Sequence, residues 1–158
     1  MGNIFSGSEI VEIGIQIEVN GRDFYSSLAK RALSPKAAKI FNFLAGEEER
    51  HILIFQKILE KVEKYEPQGL DADEYYAYMS SLAKEYVFTQ KDIGAGLAAK
   101  IKSDKEAADV GISHEKDSII FYEGMRKTIP EYAQGVISEL IQQEEEHLKQ
   151  LLNLKKGL

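Results

Sequence analysis

Four times along this chain a glutamate falls in the middle of an apolar helical stripe, and an internal repeat relates the four. The first half carries Glu18, Tyr25 and Glu48-Glu49-Arg50-His51; the second carries Glu115, Tyr122 and Glu144-Glu145-Glu146-His147. Glutamate and tyrosine are seven residues apart in both halves. The two glutamates of a half are separated by thirty residues in the first and twenty-nine in the second, and Glu-x-x-His is the same in both. Residues three apart share a helical face, so Glu48 with His51 and Glu144 with His147 can each act on one ion. Seven residues return to nearly the same face two turns on, about 10 Å along the axis. Tyr25 and Tyr122 therefore lie on the stripes of Glu18 and Glu115 and are candidates to hydrogen-bond a carboxylate there.

The stripes read as core. Glu18 keeps company with Val11, Gly14, Ile15 and Tyr25. Glu115 lies with Ala108, Gly111 and Tyr122, and Glu144 with Ile137, Leu140, Ile141, Leu148 and Leu151. Apolar residues at the 3.6-residue period define four long helices. The first spans about Ser8 to Leu33, with Ser6 or Ser8 as cap. The second opens at Ser34-Pro35, a cap followed by proline at the first helical position, and runs to near Tyr65. The third starts at a Ser103/Glu106 capping box and reaches about Lys127. The fourth starts near Thr128-Ile129-Pro130-Glu131 and ends at Lys156. A few residues join first to second and third to fourth, which makes two antiparallel hairpins. Nearly forty residues, 66–102, lie between the pairs and contain a short helix expected over 71–86. An all-α four-helix bundle of two hairpins joined by a long crossover has ferritin-like connectivity, and we expect one such domain over 1–158.

Burying four carboxylates without partners would cost many kcal/mol, so groups so placed must neutralise or coordinate. No lysine lies on these seams, and Arg22 alone cannot offset four acids. Two divalent cations balance four carboxylates by count, and two histidines give each a nitrogen ligand. One carboxylate per helix, plus a histidine from two of them, is the di-iron arrangement known in helical bundles. The expected ligands are Glu18, Glu48, His51, Glu115, Glu144 and His147, around two iron ions; manganese or mixed occupancy suits the same donors. A lone Glu-x-x-His is commonplace on helices. Here two of the three histidines carry it, in matching halves.

Other classes of function fall away. With no cysteine, disulfides, iron–sulfur clusters and thiolate zinc sites are excluded. A net charge of −6 with no basic block argues against nucleic acid. No apolar run would span a membrane and no signal peptide is evident, so a cytoplasmic location is expected. Met1 to Ser6 fits the loose N-myristoylation pattern, but its serine has a simpler use as a helix cap. Gly94-Ala95-Gly96 lacks the context of a nucleotide loop and reads as a hinge before the third long helix. Val87-Phe88-Thr89 is too short for a strand. His114 lies about 100° round the helix from Glu115 and is expected at the surface, where it would share a solvated turn with Asp117 and Ser118. Glu47, Glu49, Glu145 and Glu146 are expected to face solvent.

The motifs Ile17-Glu18-x6-Tyr25, Glu48-x-x-His51, Glu115-Lys116-Asp117-Ser118-x3-Tyr122 and Glu144-x-x-His147 resemble the rubrerythrin branch of ferritin-like di-iron proteins. The stretch 115–124, EKDSIIFYEG, is especially similar, and the resemblance covers all four long helices. It implies bridging roles for Glu48 and Glu144 and terminal roles for Glu18 and Glu115. It implies His51 on one iron and His147 on the other, redox chemistry with peroxide or dioxygen, and a homodimer. Two departures stand out. Ser118 occupies the position of the additional glutamate typical of rubrerythrins, and the four cysteines of a rubredoxin-like domain are missing, which calls for an external electron donor. The leading expectation is a peroxide-reducing di-iron oxidoreductase. Ferroxidase or iron-handling activity and a non-catalytic metal-binding bundle are the alternatives.

Overall fold

The computed structural model describes residues 7–62 and 72–158. In chain order these form α1 (Gly7–Arg31), α2 (Pro35–Val62), α3 (Ala72–Glu85), a 3-10 turn (Val87–Thr89), α4 (Gly94–Ala99), α5 (Asp104–Arg126) and α6 (Glu131–Lys156). No strand occurs among the described residues. Helices α1 and α2 pack along each other, as do α5 and α6, and the two hairpins close on one another through α1 with α5 and α2 with α6.

Local chemistry explains the boundaries. The Ser34 hydroxyl accepts from the Ala37 N–H at 3.3 Å, with Pro35 opening α2. Asp104, the first residue of α5, accepts from the Ser34 N–H at 2.8 Å and the Leu33 N–H at 3.2 Å, tying the second hairpin to the turn of the first. The Ser103 hydroxyl accepts from the Glu106 N–H at 3.0 Å. The reciprocal bond goes to the Lys102 N–H at 3.4 Å, so the expected box is half formed. Pro130 caps α6, and Gly157 ends it. Ser8 lies inside the first turn of α1 rather than at its cap. Met1 to Ser6, with the lipidation pattern, lies outside the described residues, as do Tyr65 and Asp71 at the expected ends of α2 and α3.

Each long helix buries a stripe at the helical period: Ile10, Gly14, Ile17, Phe24 and Leu28 on α1, and Phe41, Leu44, Ile52, Phe55 and Val62 on α2. Residues Ala133, Ile137, Leu140, Ile141, Leu151 and Leu154 do the same on α6. Fully burying a large apolar side chain contributes about 1.5–3 kcal/mol, so these stripes supply the bulk of the stabilisation.

The crossover departs from the expected hinge. Residues 94–99 are helical and lie along α1, and a Cβ on Gly94 would come within 2.2 Å of the Asn20 carbonyl oxygen. Glycine is therefore needed here for close approach rather than for flexibility. Fully buried Asn20 secures the contact. Its Nδ2 donates to the Phe88 and Gln90 carbonyls at 2.7 and 2.5 Å. Its Oδ1 accepts from the Ile93 and Gly94 N–H groups at 3.0 and 3.2 Å. Removing those bonds strands buried backbone groups, at about 1–3 kcal/mol each where water cannot enter. Asn20→Ala is expected to cost roughly 3–5 kcal/mol and to lower the melting temperature by about 10 °C. Thermal denaturation followed by circular dichroism checks this, and a change of under 2 °C would contradict the anchoring role.

Candidate metal centre

Glu18, Glu48, His51, Glu115, Glu144 and His147 are all buried, one carboxylate from each long helix and a histidine from α2 and α6. The fold brings them into two interlocking groups: Glu18, Glu48, His51 and Glu144, and Glu48, Glu115, Glu144 and His147. Within each group, one donor atom from every residue lies within 4.8 Å of all the others. Glu48 and Glu144 belong to both groups.

Both imidazoles turn Nδ1 inward. The His51 Nδ1 lies 3.0 Å from Glu144 Oε1 and 3.5 Å from Glu18 Oε1. That of His147 lies 3.5 Å from Glu144 Oε2, 3.8 Å from Glu115 and 4.0 Å from Glu48. The outward nitrogens meet different groups. The Nε2–H of His51 donates to the Gln143 side-chain carbonyl at 2.7 Å, while Nε2 of His147 is 3.8 Å from Glu47. The two rings stack at 5.7 Å. Glu47 is half-buried beside His147 rather than solvated; Glu49, Glu145 and Glu146 are exposed, as expected.

The tyrosines cross the repeat. Tyr25, on α1, donates to Glu115 Oε1 at 2.7 Å, and Tyr122, on α5, donates to Glu18 Oε1 at 2.5 Å. Burial, then the neighbouring carboxylates, push both phenols well above their ordinary range, so they remain donors. Each orients one carboxylate and leaves its other oxygen open. Arg22 is engaged elsewhere, on Asp23 and Glu49 at the surface.

The electrostatics are those of four buried carboxyls crowded round two imidazoles. Burial and the surrounding glutamates hold Glu48 well above the carboxylate range and lift Glu115 to about 7. Burial also opposes ionisation of Glu18 and Glu144. At Glu18 the His51 charge, the adjoining Glu48 carboxyl and the Tyr122 hydrogen bond prevail. At Glu144, where Glu18 adds to the opposition, the neighbouring Glu115 carboxyl and both imidazoles do so. Both carboxyls end below the usual range. Burial lowers the histidines, but the carboxylates outweigh it and hold His51 at about 11 and His147 at about 10.

A divalent pair fits this donor set on a structural observation. Glu18 Oε2, both Glu48 oxygens, Glu115 Oε2, Glu144 Oε2 and His147 Nδ1 are buried with no hydrogen-bond partner. Native interiors leave only a few such atoms unpaired per roughly 100 residues, whereas six gather here, and the unpartnered donor atoms of this cluster are hard oxygen and borderline nitrogen, the types that suit iron or manganese.

His114 corrects the sequence reading: it is 1% exposed and lies against the cluster, not at the surface. Its Nε2 is 3.9 Å from Glu48 Oε2, and Nδ1 meets the Tyr86 hydroxyl at 2.5 Å. Ser118 is buried too, donating to the His114 carbonyl at 2.9 Å and meeting Tyr86 at 3.0 Å. The expected solvated turn is thus a buried network. Its signal was present in the sequence, because His114, Ser118 and Phe121 follow the helical period and form a second buried stripe on α5, on the side that the crossover packs against. Tyr86, Asn20 and Gln143 carry no comparable signal.

A bundle of two helical hairpins with a long crossover, enclosing two carboxylate–imidazole groups, defines a ferritin-like protein of the di-iron-carboxylate type. The chain belongs to the rubrerythrin family, whose family model matches residues 9–155. Among solved structures, one described as a ferritin-like diiron-carboxylate protein from Thermotoga maritima superposes with a TM-score of 0.70 at 26% sequence identity. The match covers 99% of this chain and 98% of that one. No curated protein matches. Among the described residues no helix is long and apolar enough to cross a membrane.

Proposed function

We propose that the protein is a di-iron oxidoreductase that reduces hydrogen peroxide with electrons from a separate donor. The observation that carries this reading is the sharing of Glu48 and Glu144 between the two groups, which suits two ions held as a pair. Glu18 and His51 would complete the ligands of one ion and Glu115 and His147 those of the other. A ferrous pair held by these residues would supply two electrons, which with two protons suffice to turn one peroxide into two waters. The chain's own part is to hold that pair in a dry, oriented setting. Tyr122 and Tyr25 fix the terminal carboxylates, and Gln143 fixes the His51 tautomer so that Nδ1 faces inward. A cleft of about 720 Å³ beside His147, lined by Phe43, Glu47, Gln143 and Glu146 among others, offers a small polar oxidant a route from solvent.

Stopped-flow oxidation of the ferrous-loaded protein tests the reading. The rate with peroxide is expected to exceed that with dioxygen at least tenfold. The reverse order would overturn it in favour of ferroxidase chemistry, and redox-inert bound metal would favour a non-catalytic bundle.

A further inference from the structure

His114 is a buried imidazole with one nitrogen satisfied and the other not. The hydroxyl of Tyr86 lies 2.5 Å from its Nδ1, 2.9 Å from the His114 carbonyl and 3.0 Å from Ser118. That carbonyl already accepts from the Ser118 hydroxyl, and the shortest of the Tyr86 contacts is to the ring. The Tyr86 proton is therefore assigned to Nδ1. The ring is buried and no carboxylate lies within hydrogen-bond distance of it, so it carries a single proton. With Nδ1 accepting, that proton sits on Nε2, which has no partner. The ring is held in place: Phe88 lies tilted against it at 4.1 Å between centroids, and Tyr25 meets it edge-on at 5.8 Å.

The unpartnered Nε2–H points at an unpartnered acceptor. Glu48 Oε2 is 3.9 Å away, and neither Glu48 oxygen has a hydrogen bond. Gly21 makes the approach possible, since a Cβ there would lie 2.7 Å from His114 Nε2 and 2.8 Å from Glu48 Oε2. Closing the gap to hydrogen-bond length needs a shift of roughly 1 Å, within reach of one rotation of the Glu48 side chain. Two stranded groups, each costing about 1–3 kcal/mol when buried alone, satisfy each other by that movement.

We propose that His114 is a positioning residue for the metal pair, donating from Nε2–H to Glu48 and thereby holding the shared carboxylate in its bridging orientation, with Tyr86 of the crossover setting the tautomer. The inference rests on the two-metal reading of the cluster. It also explains what stands around Ser118: the small side chain admits the Tyr86 hydroxyl, and the adjoining imidazole supplies a donor beside Glu48. The crossover is thus linked to the centre through Tyr86, His114 and Glu48.

Zinc, a diamagnetic and redox-inert probe, allows a test that does not depend on turnover. In protein labelled with 15N-histidine, long-range 1H–15N spectra are expected to show His114 protonated at Nε2 both without metal and with zinc, while Nδ1 of His51 and His147 shifts on loading. Zinc affinity, measured by chelator competition, is expected to fall 10–100-fold in His114→Leu. It should stay within threefold of the native value in His114→Gln, whose amide keeps an N–H near the Nε2 position. Metal-free His114→Leu is expected to melt no lower than the native protein, because it loses a stranded polar group. A proton on Nδ1, loss of the Nε2 proton on zinc binding, native affinity in His114→Leu, or equal losses in both variants would each overturn the proposal. If zinc fails to bind native protein, the metal reading itself falls, and the tautomer in the metal-free protein still judges the His114–Tyr86 assignment separately.

Discussion

A Glu48→Gln protein is expected to bind both metal ions roughly 100–1,000-fold more weakly than the native chain while its metal-free form melts at the same or a higher temperature near pH 8. The magnitude follows from ligand sharing. Four-ligand structural zinc sites yield about 10–16 kcal/mol of apparent binding energy, or roughly 2.5–4 kcal/mol per ligand. Glu48 serves both groups, so both ions lose an anionic donor at once. The stability half follows from burial. Glu48 is fully buried, its oxygens have no partner, and its environment opposes its charge. Glutamine keeps the shape and stays neutral at every pH, so the metal-free variant is spared the cost of ionising that position. The exposed Glu145 serves as control, and Glu145→Gln should change neither quantity. Metal competition assays and thermal melts read both effects. Native affinity in Glu48→Gln, or loss of only one ion, would refute the shared-ligand reading.

Much of the architecture was legible because the long helices announce themselves twice, through apolar period and through caps. Ser34-Pro35, Ser103/Glu106 and Pro130 fall at real helix boundaries. The cluster was legible for a related reason. A glutamate amid Ile137, Leu140, Ile141 and Leu151 has no explanation as a surface residue, and the repeat supplied the other three.

What the sequence hid depends on layers beyond one helix face. A single-face reading puts His114 outside because Glu115 already marks the inner face. In the folded chain α5 is covered on a second side by the crossover, so His114 and Ser118 are interior as well. Gly94 read as a hinge because glycine signals freedom locally, whereas its actual constraint is the Asn20 backbone, seventy-four residues away in sequence. Gln143 and Tyr86 act through contacts with residues ninety-two and twenty-eight positions distant. No periodicity records such pairings, since they arise from how the hairpins dock.

Metal loading is expected to stabilise the protein more as pH rises, by over 10 °C in melting temperature between pH 5 and pH 8, while the metal-free protein changes in the opposite direction. In the metal-free state near pH 6, His51, His147, Glu48 and Glu115 hold protons and Glu18 and Glu144 do not, which leaves the cluster close to neutral. Two divalent ions bind the deprotonated ligands and so expel about four protons, two per ion. Below pH 7 the apparent affinity of each ion should then climb by up to about 100-fold per pH unit, with a shallower slope once Glu115 has lost its proton at about 7. For folding, the signs run the other way. Glu115 binds its proton more tightly folded than unfolded, so its contribution is present at low pH and is lost as pH rises from the ordinary glutamate value through about 7, roughly 3 kcal/mol in all. His51 and His147 also gain protons on folding; their contribution is complete below about 6.5 and is lost only as pH passes about 10 to 11. Proton release measured in weakly buffered solution during zinc titration, together with melts at each pH, tests both trends. Fewer than about two protons released for two ions, or a metal-induced gain that stays flat from pH 5 to pH 8, would show that the six side chains are not the ligands.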